Sequence, residues 1–166
     1  MSLSQPASYS RAQIALHWAI ALLVFFQLIF GESIADYGHA LRDGETPDTV
    51  TFIMGNAHIW VGVAILVLML ARIALRLSQG APALIPGPKL QETVAKVIHG
   101  LFYLLLIAAP LTGLAAWFLK IRPAGEVHEL MKPVFIVLIV LHIVGALWHK
   151  FVLKDATMQR MVSSKA

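Results

Sequence analysis

The sequence has no cysteine among its 166 residues. It therefore cannot form disulfide bonds, thiolate-ligated iron–sulfur clusters or a covalent cofactor link through a CxxCH motif. Charged residues are also scarce, because they make up 13% of the chain against about 25% in soluble domains. No nucleotide-binding motif and no catalytic acid–base pair is recognisable. Apolar residues dominate instead, at 58% of the chain, and this composition favours a membrane protein.

Four long apolar runs decide the fold class. Each approaches the roughly 20 residues that a helix needs to cross a bilayer. The sequence therefore predicts an all-α integral membrane four-helix bundle that occupies residues 1–166 as one domain. The predicted helices cover about residues 11–31, 52–77, 94–119 and 125–153. Ser8 or Ser10 is expected to cap the first helix, and Pro110 is expected to kink the third.

The first apolar run, residues 14–30, has the position of a signal peptide. It is long for the apolar region of such a peptide, follows the single basic residue Arg11, and lacks a clear cleavage site before Gly31. Cleavage would also discard His17. We therefore expect this run to be retained as the first membrane helix.

Basic residues are distributed unequally between the two ends of the predicted bundle. Nine belong to the end that carries both termini: Arg11, Arg72, Arg76, Lys89, Lys96, Lys150, Lys154, Arg160 and Lys165. Four belong to the opposite end: Arg42, Lys120, Arg122 and Lys132. By the positive-inside rule, both termini are expected in the cytoplasm. The isoelectric point of about 9.6 then reflects membrane topology, and nucleic acid is not an expected partner.

The most informative residues are the histidines. His17, His58, His99 and His142 lie inside the apolar runs, and His128 and His149 share a helical face with His142. Ionisable residues within a membrane are costly and usually functional. The remaining histidine, His39, lies in an acidic outer connection and is expected on the surface.

Spacing suggests how these histidines combine. His128 and His142 are 14 residues apart, which places them on one helix face about 21 Å apart along the axis. His58 has a depth similar to that of His128, and His17 a depth similar to that of His142. The sequence thus predicts two bis-histidine sites, His58 with His128 at the outer level and His17 with His142 at the inner level. Each would hold one non-covalent haem b with a low-spin iron.

Other readings of the histidines remain open. Zinc would need three or four ligands at one point, whereas these side chains are spread across the membrane. A proton relay or structural hydrogen bonds between helices would not explain the paired depths. A non-redox protein, such as a transporter or a haem-handling protein, would hold either no stable stoichiometric haem or one exchangeable haem.

Three further residues lie near the cytoplasmic level. His99 and His149 are predicted to bind the carbonyl oxygens of a quinone and to pass protons to it, since imidazole titrates near neutral pH. Alternatively, one of them replaces His17 or His142 as an inner haem ligand, or both have a plain interfacial role. Arg72 lies on the same face as His58, 14 residues later. It is expected to orient the quinone or pair with a haem propionate, unless it only extends to the membrane surface.

Several segments, in order along the chain, resemble the bacterial cytochrome b561 family. They are Tyr9-Ser10-Arg11, Ile14 to Trp18, Asn56-Ala57-His58 with Gly62, Arg72 and Arg76, His99 to Tyr103, Pro110 to Gly113, Val127-His128-Glu129, and the tail from His149 to Met161. The resemblance implies a four-helix, di-haem protein of the bacterial inner membrane. It also implies the same two histidine pairs and a quinone site at His99 and His149.

Stand-alone members of this family include superoxide oxidases, so the resemblance implies a superoxide:ubiquinone oxidoreductase. Such a protein oxidises periplasmic superoxide to dioxygen and reduces ubiquinone at the cytoplasmic side. Lys120, Arg122 and Lys132 flank His128 and are predicted to attract the superoxide anion, although they are equally consistent with ordinary interfacial basic residues. The alternative is a cytochrome b subunit that exchanges electrons between a periplasmic redox protein or dehydrogenase and the quinone pool, with the acidic outer connection as the docking surface.

Overall fold

A computed structural model describes residue 6 and residues 8–83 and 85–164 of the chain. All regular elements in this part are helical, in the order α1 (Arg11–Phe30), α2 (Ser33–Arg42), α3 (Thr49–Gln79), α4 (Lys89–Phe118) and α5 (Arg122–Trp148). A π-helical turn, His149–Leu153, continues α5, and a short 3₁₀ turn, Gln159–Met161, follows. Within these ranges α1, α3, α4 and the α5 segment are long and apolar enough to cross a membrane. The predicted all-α membrane bundle is confirmed.

The main difference from the sequence prediction lies in the first outer connection. The segment between the first two predicted helices was expected to be an acidic outer connection, but it contains the ten-residue helix α2. Tyr37 and Gly38 of α2 are buried, and α2 packs on α3. This packing on α3 stabilises a short helix that was not predicted from the sequence.

Helix ends follow local capping chemistry. The Ser10 hydroxyl accepts a hydrogen bond from Gln13 N while the Gln13 side chain accepts one from Ser10 N, which forms a capping box. Ser10 is thus the cap of α1. At α3 the Asp48 carboxylate accepts from the backbone N–H groups of Val50 and Thr51, and this cap starts the helix three residues before the predicted boundary.

The first and last described segments of the chain lie at one end of the bundle, which we call the inner end in accordance with the predicted orientation. The Ser8 hydroxyl donates to Ser164 O (2.8 Å), and the Trp18 indole donates to Met161 O (2.8 Å). Arg160 donates to Ala83 O in the connection between α3 and α4 (2.8 Å). The C-terminal segment therefore ties α1 to that connection. Lys165, counted above for the orientation, lies outside the described residues.

Apart from Tyr37 of α2, the buried apolar residues of the bundle belong to the four long helices and lie between the two histidine levels in sequence: Ile20, Ile65, Met69, Leu105, Phe135 and Leu138. Many other large apolar side chains are exposed, among them Leu22, Leu70 and Leu104. Exposure of this kind is expected where lipid replaces water as the solvent. Both Pro110 and Pro133 lie inside helices that continue past them, so the 14-residue spacing on α5 stays within one helix.

Candidate functional site

The structure brings together two pairs of histidines from different helices. At the outer level, the rings of His58 on α3 and His128 on α5 have centres 5.9 Å apart and planes inclined by 83°. At the inner level, the rings of His17 on α1 and His142 on α5 have centres 6.2 Å apart and planes inclined by 59°. All four side chains are half-buried.

These distances can be compared with what a haem iron requires. Metal–imidazole nitrogen bonds are about 2 Å long, and each ring centre lies about 1 Å beyond its nitrogen, so two axial imidazoles have centres about 6 Å apart. Both pairs have ring centres close to this separation. Each pair contains two imidazoles, which is the number of positions that a porphyrin leaves open on its iron. Within the described residues, no group of three or more His, Asp or Glu side chains has an arrangement that could hold a metal ion.

The environment of His128 sets the tautomer of its ring. Its Nδ1 lies 2.8 Å from the backbone oxygen of Ala109 on α4. A carbonyl oxygen only accepts, so Nδ1 must carry the proton and Nε2 is left as a free ligand atom. Metal-ligating histidines usually donate their second N–H to a carbonyl or carboxylate in this way. A Cβ on Gly113 would lie 3.1 Å from the His128 ring, so this glycine provides the space that the ring occupies.

The environment of His58 differs from that of its partner. The Gln27 amide on α1 donates to the backbone oxygen of His58 (2.8 Å). The His58 Nδ1 and the Gln27 Oε1 are both buried without a hydrogen-bond partner. A Cβ on Gly31 would lie 3.1 Å from His58 Nδ1, so the ring is packed against the end of α1. Two unsatisfied polar atoms therefore lie at the outer histidine pair.

The inner level contains a third imidazole. The centre of the His99 ring lies 5.5 Å from that of His142, with the planes perpendicular. His99 donates from Nδ1 to Ala95 O (2.6 Å) on its own helix, which leaves its Nε2 free. His99 is exposed, whereas His17 is half-buried. His142 thus lies between a more buried and a more exposed imidazole.

The surroundings of His149 differ from those of His99. His149 begins the π-helical turn after α5, and its Nδ1 lies 2.6 Å from a carboxylate oxygen of Asp155, within hydrogen-bond distance. Lys154 adopts a left-handed backbone (φ 53°), which reverses the chain and returns Asp155 to the imidazole. Burial raises the pKa of the Asp155 carboxyl, but hydrogen bonds from Thr157 and His149 outweigh this effect and hold the pKa below its usual value.

Arg72 is anchored to α1 near the inner histidine pair. Its guanidinium donates to the backbone oxygen of Gln13 (2.9 Å), and the Gln13 amide donates to Gly80 O (2.9 Å). Gln13 is the one buried polar residue recorded within the described ranges. Arg72 is therefore anchored one helical turn from His17 instead of extending freely to the membrane surface.

The three predicted steering cations have different partners. Arg122 pairs with Glu126 at 3.3 Å, and both side chains are largely exposed. Lys132 forms an ion pair with Glu32, and this hydrogen bond and charge hold the pKa of the Glu32 carboxyl below its usual value. Lys120 instead lies over the Trp117 ring, with Nζ 5.2 Å from its centre. Of the three, Lys120 contacts an aromatic face while the other two are neutralised locally.

Two aromatic side chains stack at the outer end of the bundle, beyond His58 and His128. Tyr37 of α2 stacks on Trp117 of α4, with ring centres 5.5 Å apart and planes inclined by 19°. Tyr37 also fits directly against Gly55, where a Cβ would lie 2.6 Å from the ring. Gly55 is one helical turn before His58, and Trp117 is one turn after Gly113. The pair therefore lies one turn beyond the outer histidines.

Sequence reasoning missed several residues that contribute to these sites. Gln27 was not singled out because it lies within an apolar run, although a single amide side chain in such a run can itself indicate a functional residue. Tyr37 and Trp117 gave no pattern, because the partner helix α2 was not predicted. Asp155 was read only as part of the tail, and its return to His149 depends on the left-handed residue before it.

Comparisons with known proteins find a family model and several relatives that match nearly the whole chain. Residues 8–164 match a family model described as prokaryotic cytochrome b561. The chain is 40% identical over 162 residues to a protein named cytochrome b562 from Cereibacter sphaeroides, covering 96% of this chain and 98% of that one. It is 34% identical to a probable superoxide oxidase CybB from Yersinia pestis, covering 95% and 97%. It is also 28% identical to cytochrome b561 homolog 1 from Escherichia coli, covering 93% and 96%.

Proposed function

We propose that this chain, which belongs to the prokaryotic cytochrome b561 family, binds two haem b groups and passes electrons from superoxide to ubiquinone. Membership of the family makes it a multi-pass electron-transfer protein of the bacterial inner membrane. The observation that carries the di-haem part is the spacing of the two histidine pairs, with ring centres 5.9 Å and 6.2 Å apart. The family accounts for haem b; the number of two and the ligand set are our proposal.

We assign His58 and His128 to the outer haem, and His17 and His142 to the inner haem. His17 is favoured over His99 as the inner ligand because it is the more buried of the two. Bis-histidine haem b supplies reversible one-electron transfer with no open coordination position. The protein's own contribution is to hold the imidazoles in opposed pairs from different helices, and to separate the two levels with the buried side chains between them.

Superoxide is proposed as the electron donor at the outer end. In the overall reaction two superoxide anions each lose one electron and become dioxygen, while one ubiquinone gains two electrons and two protons. The relative named probable superoxide oxidase supports this choice of donor. Lys120 is the cation best placed to attract the anion, because Arg122 and Lys132 are paired with carboxylates.

Ubiquinone is proposed to bind at the inner end near His99, His149 and Arg72. His99 has a free Nε2 and an exposed side chain beside His142. His149 contacts Asp155 through Nδ1, so its Nε2 can donate to a quinone oxygen when the ring carries both protons and can accept from a quinol hydroxyl when it carries one. Imidazoles suit this role because they exchange protons near neutral pH.

The haem proposal is tested by measuring haem b per polypeptide in the detergent-purified protein with a pyridine haemochrome assay and a dithionite-reduced spectrum. We expect about two haems per chain with low-spin spectra. Single substitutions of His58, His128, His17 or His142 by alanine should each lower the ratio to about one. His39→Ala is the matched control, because His39 is exposed on α2. A wild-type ratio near zero would overturn the redox proposal.

The donor proposal is tested separately, because a di-haem protein need not oxidise superoxide. Purified protein is mixed with a superoxide source and a soluble ubiquinone, and quinol formation is followed with and without superoxide dismutase. We expect quinol formation that the dismutase suppresses. A protein with two haems that forms no quinol under these conditions would contradict superoxide as its donor.

A second candidate function is an electron-transfer subunit that receives electrons from a periplasmic redox protein. The observation that favours it is the exposed acidic outer connection, whose carboxylates are Glu32, Asp36, Asp43, Glu45 and Asp48. Such a surface suits a partner with a basic docking face. This candidate predicts that the protein is purified with a partner and forms little quinol from superoxide alone.

A further inference from the structure

We infer that Gln27 is a positioning residue for the outer haem: its amide holds His58 from the backbone side and its free oxygen accepts the Nδ1–H of the same histidine when His58 ligates iron. This inference rests on the proposed outer site. It goes beyond that site by naming a residue that tunes the electron affinity of one haem and not the other.

The first step concerns the two unsatisfied atoms. Within the described residues, the buried side-chain polar atoms that lack a partner are Gln27 Oε1 and His58 Nδ1. One is an acceptor, and the other becomes a donor when Nε2 binds a metal. A buried polar atom without a partner costs about 1–3 kcal/mol. Their occurrence on residues already joined by a hydrogen bond favours their mutual satisfaction.

The second step fixes the orientation of the amide. Gln27 Nε2 donates to the His58 backbone oxygen at 2.8 Å. A rotated amide would direct its oxygen at that carbonyl, where two acceptors would repel each other. The amide nitrogen is therefore on the backbone side, and Oε1 remains as the free acceptor. The amide packs against Gly62, where a Cβ would lie 3.4 Å from Gln27 Nε2.

The third step compares the two outer ligands. His128 already donates its Nδ1–H to Ala109 O, whereas His58 lacks such an acceptor. Hydrogen bonds from Nδ1 make an imidazole a stronger donor to the metal, and a more basic ligand stabilises the ferric state. Gln27 would therefore lower the reduction potential of the outer haem by acting through His58.

The test is a potentiometric titration of Gln27→Met and Gln27→Glu, with the outer haem isolated in a His142→Ala background. Methionine keeps the length and volume of glutamine but offers only a weak acceptor. We expect Gln27→Met to move the outer haem to a more positive potential and to change its low-spin EPR signal. Glutamate keeps acceptor oxygens, so its potential should stay at or below that of the unsubstituted protein.

Two controls separate this inference from simpler explanations. Gln13→Met replaces the buried glutamine 14 residues earlier on the same helix, which bonds Gly80 O, and it should leave the outer haem unchanged. A role in packing alone would leave Gln27→Met near the unsubstituted value, and that result would overturn the inference while the outer site stands. Retention of the outer haem in His58→Ala would instead overturn the ligand assignment itself.

Discussion

Replacement of Gly113 by alanine tests how closely α4 and α5 must approach at the outer site. An added Cβ would lie 3.1 Å from Cε1 and 3.2 Å from Nδ1 of His128. Comfortable contacts between such atoms are about 3.5–4.0 Å long, so the ring must retreat by about 0.4 Å or more. This movement opposes the 2.8 Å hydrogen bond from His128 to Ala109 O.

The size of the effect follows from that hydrogen bond. Loss of a buried pairing costs about 1–3 kcal/mol, and removal of a ligand's outer partner typically weakens metal binding about 10–100-fold. We therefore expect Gly113→Ala to bind the outer haem about 10–100-fold more weakly, with the inner haem unaffected. The assay transfers haem from the purified protein to an excess of apomyoglobin and follows the two haems spectroscopically.

The control lies on the same helix. A Cβ on Gly100 would meet nothing within 4 Å, and Gly100→Ala also changes helix propensity by the same amount. Gly100→Ala should retain both haems as the unsubstituted protein does. If Gly113→Ala loses haem no faster than Gly100→Ala, the argument that Gly113 makes room for a ligating His128 is wrong.

Two further predictions concern charged groups outside the bundle interior. The folded protein holds the pKa of Asp155 below its usual 3.8. The carboxylate therefore stabilises the fold above pH about 4, and this contribution is lost as the pH falls through the lowered pKa. Asp155→Asn should reduce the decline in melting temperature that acidification causes. Lys120→Gln should slow superoxide-driven quinol formation and flatten its salt dependence more than Arg122→Gln does, because Arg122 is paired with Glu126.

Their controls use residues of the same type. Asp36→Asn on the exposed face of α2 should leave the acid dependence of the melting temperature unchanged, and an equal effect would remove Asp155 from the explanation. For the steering prediction, Lys89→Gln at the inner end should leave the superoxide rate unchanged. Equal rates for Lys120→Gln and the unsubstituted protein would show that steering does not depend on Lys120.

Much of the fold could be predicted from the sequence, because it depends on properties of single segments. Four apolar runs of sufficient length define four membrane helices. The boundaries differ by several residues, as at Thr49, where the Asp48 cap extends α3. Helix α2 escaped prediction because its stability comes from burial of Tyr37 against α3 and α4, and burial of this kind is absent from local pattern.

The candidate site divides in the same way. The spacing of His128 and His142 on one helix predicts two levels, because helical rise and period follow from the backbone alone. The depths of His58 and His17 in their own helices predict a partner at each level. The spacing does not predict which ring nitrogen of His128 carries the proton, or that Nδ1 of His58 has no hydrogen-bond partner. Those depend on Ala109 and Gln27, which reach the site from other helices.

By itself, the sequence determined that this protein is a membrane bundle with histidines at two depths, since length, hydropathy and helical period are properties of each segment. The tertiary structure alone decided the rotation and axial offset of each helix against its neighbours. These set which atoms meet: Tyr37 on Trp117 above the outer pair, Asp155 on His149, and Gln27 on the backbone of His58. Contacts between helices depend on relative position, and the pattern within one segment carries no information on it.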